Sequence, residues 1–220
     1  MYTRWWHSPR FFLTCLLPAL AILVVLSILF VDYPLAEWIR NNVTNEHKKL
    51  MWLPGRAGRG EPWAVLVLIM LVAPWLISRF CSGQTAQVRY WQIAGLFTGV
   101  TILSSSLVVT LFKYFVGRPR PNFAFKIDSF VLAPLAGGPG YASFPSGHSQ
   151  TAWAGALALG FLFPRVRIPL YILALLACLN RIGTNRHYVS DTLAGYTVAL
   201  GCMVFFLWVF RRRNVFRTLP

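Results

Sequence analysis

Three short polar clusters interrupt an otherwise apolar chain: Lys113 to Arg120-Pro121, then Pro145-Ser146-Gly147-His148, then Arg181, His187 and Asp191. Together they supply two imidazoles, a carboxylate, three obligatory cations and a Ser-Gly turn, the set that displacement at phosphorus by a histidine nucleophile needs.

Lys113 ends an apolar run, and Arg118-Pro119-Arg120-Pro121 follows in a stretch that its prolines should hold out of helix, so two or three cations converge at one depth. Forked guanidinium donors and a point-like ammonium suit the equatorial oxygens of a phosphoryl group. In the second cluster a proline-led turn opens a helix, whose free amides and positive end attract anions. Ser146 adds a hydroxyl, Gly147 lets the backbone approach an oxyanion, and His148 is suited to protonate a leaving oxygen. In the third, Asp191 follows His187 by one four-residue helical step, so the carboxylate would hold one ring nitrogen as donor and leave the other to attack phosphorus. Each cluster alone has an ordinary reading: a belt of snorkelling cations, a capped helix with an interfacial histidine, a helix-start aspartate beside a surface histidine. Their joint occurrence at one membrane face argues for a single site.

The elements that must position them are membrane helices. The 220 residues are 56% hydrophobic and 12% charged, which excludes an ordinary soluble domain. Apolar runs at Phe11–Val31, Pro62–Ile77, Trp91–Phe112, Ser149–Phe163, Ile168–Leu179 and Thr192–Phe210 predict an all-α, six-span bundle forming a single domain over residues 1–220. The fourth and fifth runs are short and need motif residues at their ends to complete a crossing. The first run is too long for a signal-peptide core and is expected to stay as a span. Six spans put both termini on one side, with Arg4, Arg10, Arg79, Arg89, Arg165, Arg167, Arg211 to Arg213 and Arg217. That side is expected to be cytoplasmic, and the three clusters, with all six acidic residues, fall on the other.

The formal charge of +15 sits at span ends and in the motifs, with no aromatic-basic platform, so nucleic acid is not the expected partner and anionic lipid is. Cys15, Cys178 and Cys202 lie in apolar runs and Cys81 in a short turn, reading as packing residues. Loop 32–62, with Trp38, Trp52 and Trp63 among Lys48, Lys49, Arg56 and Arg59, reads as an interfacial anchor rather than a substrate-selecting lid, and His47 as solvated. Gly137-Gly138-Pro139-Gly140 reads as a turn, not a phosphate loop, and Gly95 and Gly99 as close-packing positions within the bundle.

Lys-x6-Arg-Pro, Pro-Ser-Gly-His and Arg-x5-His-x3-Asp resemble the three signature motifs of the type 2 phosphatidic acid phosphatase family, a superfamily that includes vanadium haloperoxidases. All ten motif positions are filled, across residues 113–121, 145–148 and 181–191; Asn180 stands where the family usually has Ser. The resemblance implies His187 as nucleophile forming a phosphohistidine, Asp191 as its orienting partner, and His148 as acid and then base. It implies Lys113, Arg120, Ser146, Gly147 and Arg181 as phosphate holders. The expected protein is an inner-membrane phosphatase whose site faces the extracytoplasmic side and takes a polyprenyl pyrophosphate, phosphatidylglycerophosphate, phosphatidate or lipid A. Transfer to a second lipid, or vanadate-dependent halide oxidation, would use the same site. With only Asp128 and Asp191 as nearby carboxylates, no metal or other cofactor is expected. Nothing in the sequence sets the oligomeric state.

Overall fold

The computed structural model describes residues 9–44, 46, 55–80 and 85–215. Arg4, His47, Lys48, Lys49, Trp52, Cys81 and Arg217 lie outside the described residues. Within them the chain is all helical, with no strand. Helix α1 (Phe12–Phe30) is followed by α2 (Asp32–Asn42), α3 (Gly60–Phe80), α4 (Thr85–Val116), α5 (Pro121–Ile127), α6 (Gly147–Leu162), α7 (Arg167–Gly183) and α8 (Val189–Arg212).

Five segments are long and apolar enough to cross a bilayer: α1, α3, α4 with its continuation through α5, α7 with the turn before it, and α8. The expected fourth crossing falls short, because α6 has only 16 residues, about 24 Å of helix against roughly 30 Å of hydrocarbon. Its position explains this. Helix α6 is enclosed by α4, α7 and α8 and is buried on nearly every side, so it meets protein rather than lipid. Ala152, Ala154, Gly155, Ala156, Ala158 and Gly160 keep it thin enough for three neighbours. Gln150 ties it to α4 by donating from Nε2 to Ser105 Oγ (2.6 Å) and accepting from Ser106 Oγ (3.1 Å).

Helix α4 is the long post, 32 residues or about 48 Å against roughly 30 Å of hydrocarbon, with Lys113 in its last turn. Its Gly95 and Gly99 face α3: a Cβ at Gly95 would lie 3.0 Å from Met70 Cβ, and one at Gly99 3.1 Å from Val67 Cγ1. Loop 32–62 departs from expectation. It opens with α2, whose Asp32, Ala36 and Ile39 are buried, and Trp63 is a core residue rather than a headgroup anchor. The Trp63 indole fills the space a Cβ on Gly155 would occupy and donates from Nε1 to the Ala57 carbonyl (2.7 Å), pinning residues 55–59 to the bundle. Trp38 is exposed, as an interfacial residue would be. Of the cysteines, Cys178 is buried, Cys202 partly so, and Cys15 exposed.

Candidate active site

The site forms where α4, α6, α7 and α8 end on one side of the bundle. After Lys113, Gly117 turns the chain at φ +57°, and a Cβ there would lie 1.8 Å from the Ala133 carbonyl oxygen. The segment beyond is clamped to the next loop by Arg120 N–H donating to Gly140 O (2.8 Å) and Ser143 N–H donating to Arg118 O (3.0 Å). Helix resumes sooner than the prolines suggested, because Pro121 occupies the first position of α5, where a missing N–H costs nothing.

Arg120 sits at φ −70°, ψ 149°, a polyproline-like conformation in which residues two apart diverge by about 120°. Arg118 and Arg120 accordingly part company. Arg118 does not join the phosphate-facing cations. It donates from Nη1 to Asp191 Oδ1 (2.8 Å) and Ser190 Oγ (2.7 Å), and from Nη2 to Asp32 Oδ2 (2.9 Å), and it lies 4.1 Å from the Tyr188 ring centroid. Asp32 also accepts from the Ser190 N–H (3.1 Å) and the Ser190 hydroxyl. The carboxylates that join Asp191 near the site are therefore Asp32 and Glu61, the latter lining a cavity with Lys113, Gly147 and His148, and not Asp128, which is exposed at the end of α5.

His187 lies in the turn between α7 and α8 and is 2% exposed. Its Nδ1 is 2.9 Å from the Ser143 carbonyl and 3.4 Å from Asp191 Oδ2. A carbonyl only accepts, so the hydrogen sits on Nδ1 and Nε2 keeps its lone pair. The nearer holder of the ring is thus Ser143, not Asp191. Asp191 is already engaged, with Oδ1 bound by Arg118 and Oδ2 accepting from Ser143 Oγ (2.5 Å) and the Tyr188 N–H (2.9 Å). Burial pushes the His187 pKa down to about 4, opposed by Asp191 and reinforced by Arg120 and Arg181.

Ser146 caps α6 from a fully buried position: its Oγ accepts from the Ser149 N–H (3.4 Å), and its own N–H donates to the Asp191 carbonyl (2.9 Å). Gly195 lets α8 come this close, since a Cβ there would lie 2.6 Å from the Ser146 carbonyl oxygen. At Gly147 a Cβ would stand 3.3 Å from Lys113 Nζ, so glycine keeps space for the ammonium beside the first turn of α6. His148 lines two cavities. One, of about 720 Å³, is shared with Arg181; the other, of about 510 Å³, with Lys113 and Gly147. Arg120 and Arg181 each hold a buried Nε–H with no acceptor. The eight residues singled out from the sequence therefore gather at one end of the bundle: four line the two cavities, Ser146, His187 and Asp191 are buried, and Arg120 is half-buried. Sequence reasoning missed Asp32, Ser143 and Ser190, whose types carry no motif.

This arrangement gathers basic side chains around two cavities at one end of a bundle of apolar helices. The PAP2 superfamily profile matches residues 94–215, more than half of the chain, and the chain belongs to that superfamily. It is similar to a lipid A 1-phosphatase from Rhizobium etli, 30% identical over 78% of this chain and 74% of that protein. It also matches the undecaprenyl-diphosphatase BcrC of Bacillus subtilis, 33% identical over 62% of this chain and 63% of that one. The fold is similar to that of a PAP2-type phosphatidylglycerolphosphate phosphatase from Bacillus subtilis, with a TM-score of 0.62 at 20% identity over 89% of this chain and 95% of that one. The chain is a multi-pass membrane protein whose matched relatives are named as phosphatases.

Proposed function

We propose that the chain is a single-domain phosphatase of the inner membrane that removes phosphate from a lipid through a phosphohistidine, with its site on the extracytoplasmic side and its termini in the cytoplasm. The observation that carries this reading is the pair of buried, acceptorless guanidinium N–H groups of Arg120 and Arg181 beside a neutral imidazole with its Nδ1 hydrogen held. Unpaired buried donors are costly, and phosphoryl oxygens would satisfy both.

In the first step His187 Nε2 forms a bond to phosphorus as the bond to the lipid oxygen breaks, and His148 protonates that oxygen. Burial first, and then the flanking cations, oppose a proton on His148 until the phosphate brings its negative charge into the pocket. In the second step water attacks phosphorus, His148 takes its proton, the N–P bond breaks and inorganic phosphate leaves. Lys113, Arg120, Arg181 and the first amides of α6 hold the charge that builds on the phosphoryl oxygens. Of the nearby carboxylates, Asp32 and Asp191 are both bound by Arg118, and Glu61 is the one described acid lining the smaller cavity, which it shares with Arg59 and Lys113, so the described residues offer no clustered carboxylates of the kind a divalent ion needs.

Phosphate release by the purified full chain from a panel of phosphatidate, phosphatidylglycerophosphate, polyprenyl pyrophosphate and lipid A tests the reading. Wild type should release phosphate from at least one of them at full rate in excess chelator, and His187→Ala should lose at least about 10³-fold. Retained activity in the variant, or loss in chelator, would overturn it.

A further inference from the structure

The larger cavity is far more basic than one phosphate requires. Arg40 from the last turn of α2, Arg56 and Arg59 from the segment before α3, Lys126 from α5, and Arg181 and Arg186 from the end of α7 and the turn after it all line it. None of its described lining residues is acidic. Only Arg181 belongs to the motifs. The others come from segments far apart in sequence and are brought together by identifiable packing: Gly55 lies so close to Asn180 that a Cβ would stand 2.6 Å from its Oδ1, Gly58 likewise meets His148 at 2.8 Å, and Arg40 sits 4.9 Å from the Phe125 ring centroid. Side chains of one sign gathered around a solvent-open concavity create a positive potential there that draws anions in.

A phosphomonoester carries at most about two negative charges, and Lys113, Arg120, Arg181 and the α6 amides already face them. Five further cations on the same side of His148 are surplus to the scissile group. Volume points the same way, since about 720 Å³ is room for a head group of drug-like size rather than a single phosphate.

We propose that Arg40, Arg56, Arg59, Lys126 and Arg186 form a second anion subsite, so that the chain selects lipids whose head group carries another phosphate besides the one removed. The inference rests on the phosphatase reading and adds the substrate class. The second phosphate has two possible placements: directly bonded, as in a diphosphate lipid, or set across a polyol or saccharide, as in phosphatidylglycerophosphate or a bisphosphorylated disaccharide lipid. The subsite chemistry is shared.

The test uses the full chain in neutral detergent micelles, free of anionic lipid, with Arg40→Gln, Lys126→Gln and Arg186→Gln. All three positions are exposed, so folding should be untouched. Three substrates are compared: phosphatidate, a polyprenyl diphosphate and a bisphosphorylated disaccharide lipid. Each variant should lower kcat/KM at least about 10-fold on one or both substrates bearing a second phosphate, and by less than about 2-fold on phosphatidate. Which of the two responds tells the bonded phosphate from the distant one. Inorganic pyrophosphate should inhibit wild type more tightly than inorganic phosphate, and that advantage should shrink in the variants. An equal fall on all three substrates would reveal general electrostatic steering and overturn the subsite, as would no fall at all. Both outcomes leave the phosphatase reading standing. Wild type inactive on every substrate would sink that reading and the subsite with it.

Discussion

The His187 imidazole is a ring almost without water, its Nδ1 facing two acceptors within 3.4 Å and its far edge facing arginines. Desolvation disfavours the charged form more than Asp191 favours it, so the pKa falls from 6.5 to about 4. The sign follows. A depressed histidine pKa means that between 6.5 and 4 the unfolded chain binds a proton the folded chain refuses, so this residue's contribution to stability is lost as pH falls through that window. His187 itself stays neutral down to about pH 4. Imidazole nitrogen NMR of the protein in detergent should therefore show His187 as the neutral, Nδ1-protonated tautomer from pH 8 to near 4. A titration near 6.5, or a hydrogen on Nε2, would contradict the hold attributed to Ser143. At this scale the sequence is legible wherever chemistry imposes fixed spacing, as between His187 and Asp191. It is silent on Ser143 and Asp32, because a carbonyl acceptor has no residue type and the Asp32–Arg118 pair joins residues 86 positions apart with no motif to mark them.

The elements convert that spacing into geometry through a few tight crossings. Gly117 is the sharpest: it combines φ +57° with a Cβ position 1.8 Å from the Ala133 oxygen, in the turn that delivers Arg118 and Arg120. Gly137 also has a positive φ, +66°, but nothing lies within 4 Å of its Cβ position. The two separate backbone strain from steric clash. Gly117→Ala should cost about 2–4 kcal/mol, lowering the thermal midpoint in detergent by roughly 5–10 °C, whereas Gly137→Ala should cost about 1–2 kcal/mol. Equal midpoints for the two variants would show that the loop can move away from Gly117. Apolar periodicity found the long helices because lipid demands length and hydrophobicity of any segment it touches. It misjudged α6, which lipid does not touch, and α2, whose buried face answers to α8 and Arg118 rather than to the bilayer. Trp63 was misread for the same reason: an indole near a span end suits a headgroup layer and a Gly155 notch equally well.

Charge organises the whole molecule along the bundle axis. At the site end lie the acids Asp32, Glu37, Glu46, Glu61, Asp128 and Asp191 together with the basic cavities. At the other end Arg79, Arg89, Arg165, Arg167 and Arg211 to Arg213 mark the ends of α3, α4, α7 and α8 with no acid among them. The positive-inside rule expects a face bearing only arginines in short connections to be cytoplasmic, which is the basis for the outward-facing site proposed above. An outward site at the edge of the hydrocarbon suits a lipid that diffuses in the outer leaflet, its phosphate entering the cavity while its chains stay in the bilayer. In a chain without other cysteines, Lys126→Cys should react with a membrane-impermeant maleimide in intact cells, and Arg165→Cys only after the membrane is opened. Both positions are exposed, so accessibility to protein packing is not the variable. The reverse pattern would place the cavity in the cytoplasm, where the same pocket would meet inner-leaflet lipids and soluble phosphates, and the outer-leaflet substrates proposed above would be out of its reach.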